Sequence, residues 1–450
     1  MNRRHFLQSF AASLLLAACS GIPSHDASYP PIVFVHGNGG NAAQWMATMW
    51  RFESRGWPRD RLFGLDTAYP FSRDDDSKPQ EARSSTVEHT AQLAAEVERV
   101  RKVTGADKVI LIGHSRGGYS IRDYVRNGVG RATVSHAILC GTPNHGVFAT
   151  SEFAPGSEFN STAPFLTALN TPQGSAGFEV TPGVAFMTIR SDNQDKWTQP
   201  TGRWLGQPAL KTNVSHDSPA LKGAENVVLP GADHSETAFS QEAFVNAYRF
   251  ITGHVPTRTD VIPEKSVALT GKVNGLAGVT ATNLPVRGAT VEVFEVSPAS
   301  GERLGAPVHS KVTGADGVWG PFTARSDAHY EFVTHGDGYA ILHVYRMPFA
   351  RSSAVVDFRL GRLTDEDKKA TSVIQMQSPM RYLVLGRGPI SLDGKNPPGI
   401  ADGVPGESQS TLRLNEPAMR TVAAEMGANR VAVRTWPVRE NHLVRAVFHN

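Results

Sequence analysis

The chain has 450 residues, more than one hydrophobic core normally supports, so two or three domains are expected. Hydrophobic residues make up 40% and charged residues 19%, which excludes a disordered chain. The formal net charge is +3, and Arg3 and Arg4 supply two of those charges. The near-neutral remainder gives no reason to expect nucleic acid as a partner.

The first residues read as a targeting segment. Asn2-Arg3-Arg4-His5-Phe6-Leu7-Gln8 resembles a twin-arginine export signal, and the apolar run from Phe10 to Ala18 is too short to cross a bilayer. Leu16-Ala17-Ala18-Cys19 resembles the lipobox of bacterial lipoproteins, which implies lipidation of Cys19 and a membrane tether for a periplasmic or cell-surface protein; a simple cleaved signal with a chance cysteine, and a secreted protein, is the alternative. Residues 1–19 are thus assigned to export. With Cys19 so used, Cys140 has no disulfide partner, and at the end of an apolar run it is read as a small buried hydrophobe.

From residue 21 to 262 short apolar runs alternate with helical segments. Strands are predicted at Ile32 to Val35, Leu62 to Leu65, Val109 to Ile112, Val134 to Leu139, Val184 to Ile189 and Val227 to Leu229. Helices are predicted at Ala42 to Ser54, Ser85 to Val103, Arg116 to Asn127 and Ala238 to Thr252. Ser85 and Glu88 form a capping-box pair, and Val87, Ala91, Ala94, Val97 and Val100 suggest one apolar face. Strands buried on both sides and separated by helices imply a mainly parallel sheet with helices on each face. Residues 144–183 turn rich in Gly, Pro and Ser, as a lid, a binding loop or surface decoration would.

After Pro256 the pattern becomes that of an all-β protein. Alternation at Val291 to Val296, a turn at 314–317, and runs at Tyr330 to Val333 and Ala340 to Tyr345 predict antiparallel strands. Residues 263–360 are read as a β-sandwich domain, resembling the transthyretin-like sandwiches of exported enzymes. Residues 361–450 are read as a second β-rich domain, with strands at Tyr382 to Leu385, Val431 to Thr435 and Val444 to Phe448 and a helix from Glu416 to Met426. Trp319, Phe322 and Tyr330 are candidates either for the core or for a polymer- or lipid-binding face.

Gly113-His114-Ser115-Arg116-Gly117 fits the nucleophile elbow, and its context strengthens it: an apolar strand enters and a helix leaves. Ser115 is therefore the candidate nucleophile. A hydroxyl needs a base, and His234, just past a late strand, stands where one belongs. The acid that orients the histidine is Asp195, with Asp192 as alternative; Asp233 is read as a turn residue. The oxyanion donors are assigned to the backbone amides of Asn38, in Val35-His36-Gly37-Asn38-Gly39-Gly40, and of Arg116. Trp45, Met46, Met49 and Trp50 are read as core, with some lining an acyl pocket. Arginine after the nucleophile suggests a polar pocket mouth.

His36-Gly37, the elbow and Gly141-Thr142-Pro143-Asn144-His145-Gly146 together resemble bacterial lipases and esterases of the α/β-hydrolase superfamily. The resemblance implies the α/β-hydrolase fold followed by C-terminal all-β domains. It also implies hydrolysis of carboxylic esters through an acyl-enzyme, with an ester or lipid substrate and neither cofactor nor metal. A polyester depolymerase, with the β domains binding substrate, is the alternative. A rival of another class reads Gly37-Asn38-Gly39-Gly40-Asn41-Ala42, with Asp66 after it, as the dinucleotide fingerprint of an oxidoreductase.

Overall fold

The computed structural model describes residues 29–417 and 419–449; the Arg3-Arg4 signal and Cys19 lie outside the described residues. Six strands form an all-parallel sheet in the order β2-β1-β3-β4-β5-β6. They are β1 (Ile32–Val35), β2 (Leu62–Leu65), β3 (Val109–His114), β4 (Val134–Cys140), β5 (Ala185–Ser191) and β6 (Glu225–Leu229). In β1 and β3 every residue is buried, because alternate side chains enter different cores. Phe34 and Ile112 pack with α1 (Met46–Ser54) and α4 (Gln241–Thr252), while Val33 and Leu111 pack with α2 (Thr86–Thr104) and α3 (Arg116–Asn127). Helices thus cover both faces, the arrangement of an α/β-hydrolase.

Helix α2 starts at the expected capping box: Glu88 N–H donates to Ser85 Oγ at 3.2 Å and Ser85 N–H to Glu88 Oε2 at 2.8 Å. Its buried stripe is Thr86, His89, Leu93, Val97, Val100 and Thr104; of the expected face Val97 and Val100 are buried and Ala94 packs beside them, whereas Ala91 is exposed and Val87 is 74% exposed. The capping box fixes where the helix begins, whereas packing on the sheet selects the stripe.

The C-terminal region is β-rich, with several sheets. Its largest has seven strands in the order β8-β7-β9-β10-β13-β11-β12. These are β7 (Thr290–Val296), β8 (His309–Val312), β9 (His329–His335), β10 (Ile341–Arg346), β11 (Ser372–Gln377), β12 (Gln409–Leu414) and β13 (His442–Val447). The division expected at residue 360 does not divide this sheet, since β13 pairs in parallel with β10 on one side and β11 on the other. The helix expected from Glu416 to Met426 is replaced by a strand, Thr421–Met426, antiparallel to Asn429–Arg434. Gly427 (φ 61°) lies in the turn of this hairpin, and Val422, Ala424 and Met426 bury alternately. Trp319, Phe322 and Tyr330 are core residues, all under 7% exposed, so they form no binding face.

The two regions share a core. Trp50 Nε1–H of α1 donates to Ser352 O at 3.0 Å, and Arg351 pairs with Glu53 at 3.0 Å. The C-terminal region therefore packs directly against the parallel sheet's helices, and a cavity of about 1060 Å³ is lined by both.

Candidate active site

Strand β3 delivers Ser115 to the cavity through a turn with little room. Ser115 has φ 52° and ψ −120°, a conformation that costs a non-glycine residue about 1–3 kcal/mol. A Cβ on Gly113 would sit 2.6 Å from Ile121 Cδ1, and one on Gly117 would sit 2.6 Å from Val35 O, which is why both elbow positions are glycine. Ser115 N–H donates to Cys140 O at 2.8 Å, and Thr142 Oγ–H donates to Ser115 O at 3.0 Å. The strained turn is thus held from β4 and its loop while α3 begins at the next residue.

His234 follows β6. Its Nδ1 lies 2.7 Å from Asp195 Oδ2, and both side chains are buried. A carboxylate can only accept here, so His234 Nδ1 carries a proton. Asp195 Oδ1 accepts from Trp197 N–H at 2.8 Å. Asp192, the alternative acid, is engaged elsewhere: its Oδ2 accepts from Gly231 N–H at 2.9 Å, so it braces the histidine loop from outside. Asp233 accepts from the Ser235 and Glu236 amides at 2.8 and 2.9 Å and from Tyr382 N–H at 2.6 Å; burial, followed by nearby Glu236, pushes its pKa up to about 7. His234 O accepts from Thr237 Oγ–H at 2.7 Å and lies 3.1 Å from His114 Nε2, while the Tyr382 ring lies nearly parallel to the imidazole, centroids 6.5 Å apart. Ser115 and His234 both line the cavity.

The glycine turn after β1 faces the same space. Thr67 N–H donates to His36 Nε2 at 3.2 Å, so the ring proton is on Nδ1 and donates to Gly37 O at 2.7 Å. Burial depresses the His36 pKa to about 4, keeping this brace neutral. Asn38 lines the cavity, and its Oδ1 accepts from Ser72 N–H at 2.8 Å. Asp66, the acidic member of the rival dinucleotide fingerprint, is occupied by this turn: its Oδ1 accepts from Ala42 N–H at 2.8 Å.

The Arg116 side chain corrects an expectation. It does not reach the pocket mouth but is 1% exposed, in a bidentate pair with Glu158 at 2.7 and 2.8 Å. It also donates to Ser84 Oγ and O at 2.9 and 2.7 Å. Burial holds Glu158 above the usual carboxylate range even against Arg116. Glu158 belongs to the 144–183 segment. Phe148, Phe153 and Phe159 of that segment line the cavity. Of the four α1-side candidates, Met46 lines it, whereas Trp45, Met49 and Trp50 are core. Cys140 is buried, and burial pushes its thiol pKa up, away from nucleophilic use.

The C-terminal region supplies the opposite wall. Arg359 donates to Gly39 O at 2.9 Å and Gly40 O at 3.2 Å, and Asn283 donates to Gly40 O at 3.1 Å. Lys196, one residue past the acid, donates to Gly406 O at 2.5 Å. None of Arg359, Asn283 or Tyr382 stands in a motif, so no local pattern marks them. Among the described residues, no cluster of three or more His, Cys, Asp or Glu side chains is placed to hold a metal ion.

Residues 29–148 match the lipase (class 2) family, and residues 265–363 match the lipase C-terminal domain. Three similar solved structures are the lin2722 gene product of Listeria innocua, Aspergillus fumigatus lipase B and Bacillus licheniformis lipase BlEst2 in its propeptide form. The Listeria protein is 14% identical, covering 51% of this chain and 97% of that one, with a TM-score of 0.34. The Aspergillus lipase is 15% identical, covering 53% and 56%, with a TM-score of 0.35. The Bacillus lipase is 17% identical, covering 61% and 58%, with a TM-score of 0.36. The first family match spans the glycine turn and the elbow, the second spans much of the wall opposite, and together they support a hydrolase of the lipase and esterase type.

Proposed function

We propose that the protein cleaves carboxylic esters through Ser115, His234 and Asp195 with an acyl-enzyme intermediate. The observation that carries the reading is the Asp195–His234 bond of 2.7 Å beside a cavity that Ser115 enters from a strained strand-to-helix turn. In this reading Ser115 Oγ attacks the ester carbonyl carbon as its proton passes to His234 Nε2, and Asp195 stabilises the imidazolium through Nδ1–H. The amides of Asn38 and Arg116 hold the tetrahedral oxyanion, the latter at the positive end of α3. The alcohol leaves with the proton from His234. Water then gives a proton to His234 and attacks the acyl carbon, and His234 passes that proton to Ser115 Oγ as the acyl–oxygen bond breaks, releasing the carboxylic acid and restoring Ser115.

The test is labelling by a fluorophosphonate probe, wild type beside Ser115→Ala, followed by a p-nitrophenyl ester chain-length series. Labelling that disappears in the variant is expected, and the series then distinguishes esterase from lipase behaviour. Folded wild type that takes no label would overturn the triad. Export and lipid attachment at Cys19 belong to the same proposal; a labelled fatty acid should enter the wild type and not Cys19→Ser.

A further inference from the structure

Five arginines line the cavity that also holds Ser115 and His234: Arg73 and Arg83 pair with Glu88 and Asp74, while Arg346, Arg359 and Arg445 come from the C-terminal region. The surroundings of these last three differ. Arg359 is committed to the carbonyls of Gly39 and Gly40 and to Asn283. Arg445 is half-committed: Nε–H donates to Gln375 Oε1 and one Nη–H to Arg359 O, each at 2.8 Å. Arg346 is 7% exposed, lies with its guanidinium carbon 5.6 Å from the Phe349 ring centroid, and has a buried Nε with no acceptor.

No described carboxylate lies within 4.0 Å of any of the three. The carboxylate that lines this part of the cavity is Asp357, whose Oδ1 accepts from Lys272 N–H at 2.7 Å and whose buried Oδ2 has no partner. Burial pushes the Asp357 pKa up to about 7, so near neutral pH it carries only part of a negative charge. Asp357 acts on Arg346, and Asp66 and Asp357 act on Arg359, only from beyond ion-pair distance, so the desolvation of these guanidinium groups is partly offset and an anion entering the cavity would relieve more of it. Register places Arg346 beside Val447 and Val344 beside Arg445, so the charges sit in an apolar frame that Phe358 and Met380 extend. Such a chamber suits an anionic group carried on an apolar chain.

We propose that this chamber binds the acidic end of an ester substrate, a carboxylate or phosphate at the far end of an apolar chain, with Arg346 as the principal donor and Arg445 as the second. The proposal rests on the ester-hydrolase reading. It makes the protein selective for acid-tipped esters over neutral esters of equal length.

The test compares p-nitrophenyl monoesters of eight- to ten-carbon dicarboxylic acids with the same molecules methyl-capped at the far end, and with phosphate-tipped analogues. Wild type should favour an acid tip in kcat/KM by about tenfold or more, as charge-assisted hydrogen bonds generally contribute. Arg346→Met should bring the ratio close to one, and Arg346→Lys, with its charge retained, should keep part of it. Preference for one tip over the other identifies the headgroup and supports the chamber in either case. A wild-type ratio near one, or a ratio unchanged in Arg346→Met, would overturn it. If wild type hydrolyses none of these esters, the hydrolase reading fails by itself. Calorimetric titration of Ser115→Ala with suberate and with inorganic phosphate then still decides the chamber. Heat that is lost in Ser115→Ala/Arg346→Met supports it, and no heat overturns it.

Discussion

The two walls of the cavity are built on different principles. On the parallel-sheet side the residues of the proposed machinery sit within a few residues of a strand end: Asn38 after β1, Ser115 after β3, Asp195 after β5 and His234 after β6. Its position is set by a short turn and two or three hydrogen bonds. On the opposite side Arg346, Arg359, Tyr382 and Arg445 come from separate segments, and long-range packing alone brings them together. The first wall holds the groups that would break bonds; the second holds surface and charge, and reaches across to steady the first. Reactivity needs precise local geometry, whereas selectivity can be assembled from anywhere in the chain.

Replacing the sheet-side groups tests the first half of that contrast and should have the largest effect. Ser115→Ala should lower kcat by about 10⁴-fold or more and Asp195→Asn by about 10⁴-fold, with thermal midpoints near wild type. Asp192→Asn should leave most activity, because its carboxylate braces Gly231 rather than His234. Equal losses from the two aspartates in a p-nitrophenyl ester assay would remove the distinction between acid and brace.

Next in size is the buried pair behind the elbow. Glu158→Ala strands Arg116 in the interior and should cost about 3–5 kcal/mol, read as a urea midpoint shift. A cost below about 1 kcal/mol would mean that the 144–183 segment is not a structural part of the first wall. A smaller effect is expected where the walls meet. Arg359→Met removes the charged donors to Gly39 and Gly40 and should cost about 1.5–3 kcal/mol, with kcat falling more than KM rises if the turn carries an oxyanion donor. Unchanged kcat would show that the second wall does not steady the first.

The smallest effects are pH-dependent. His36 on one wall and His449 on the other are held neutral by burial, with pKa values near 4 and 3. The unfolded chain protonates them below about 6.5, so their stability contribution is complete above that pH and is lost as pH falls, by about 1.4 kcal/mol per unit for each group. Asp357 has the opposite sign. Its folded pKa near 7 lies above the ordinary 3.8, so its contribution is present at low pH and is lost as pH rises towards 7. His449→Gln should therefore flatten, and Asp357→Asn steepen, the gain in urea midpoint between pH 5 and 6.5. Both variants changing the slope in one direction would contradict these signs.

The same contrast explains what could be read from the amino-acid order. The six parallel strands, the capping box of α2 and the elbow rest on neighbouring residues, and all were legible. Asp195 could be favoured over Asp192, but both follow β5 in one polar turn, and only the fold shows which reaches His234. Glu158 was invisible because one of three glutamates in a Gly/Pro/Ser-rich stretch carries no sign of a partner 42 residues away. The strand at Thr421–Met426 was missed because small alanines blur its alternation and Gly427 terminates a helix as readily as it turns a hairpin. Arg346 and Arg445 read as ordinary charged strand residues until register places them on one face.

Strand β13 sets an order of assembly. It is inserted between β10 and β11, so the large sheet cannot be laid down strand by strand as the chain leaves the ribosome. The hairpins joining β7, β9 and β10 can close as they are made, yet β10 and β11 each keep an open edge until β13 arrives. All five groups of the proposed hydrolytic machinery are synthesised long before Arg445, so the nascent chain gains the half proposed to react first and the half proposed to discriminate last. Pulse-labelled hydrogen exchange during refolding should show amides of β3 and β4 protected before those of β13. The reverse order would mean that the late strand nucleates the fold instead of closing it.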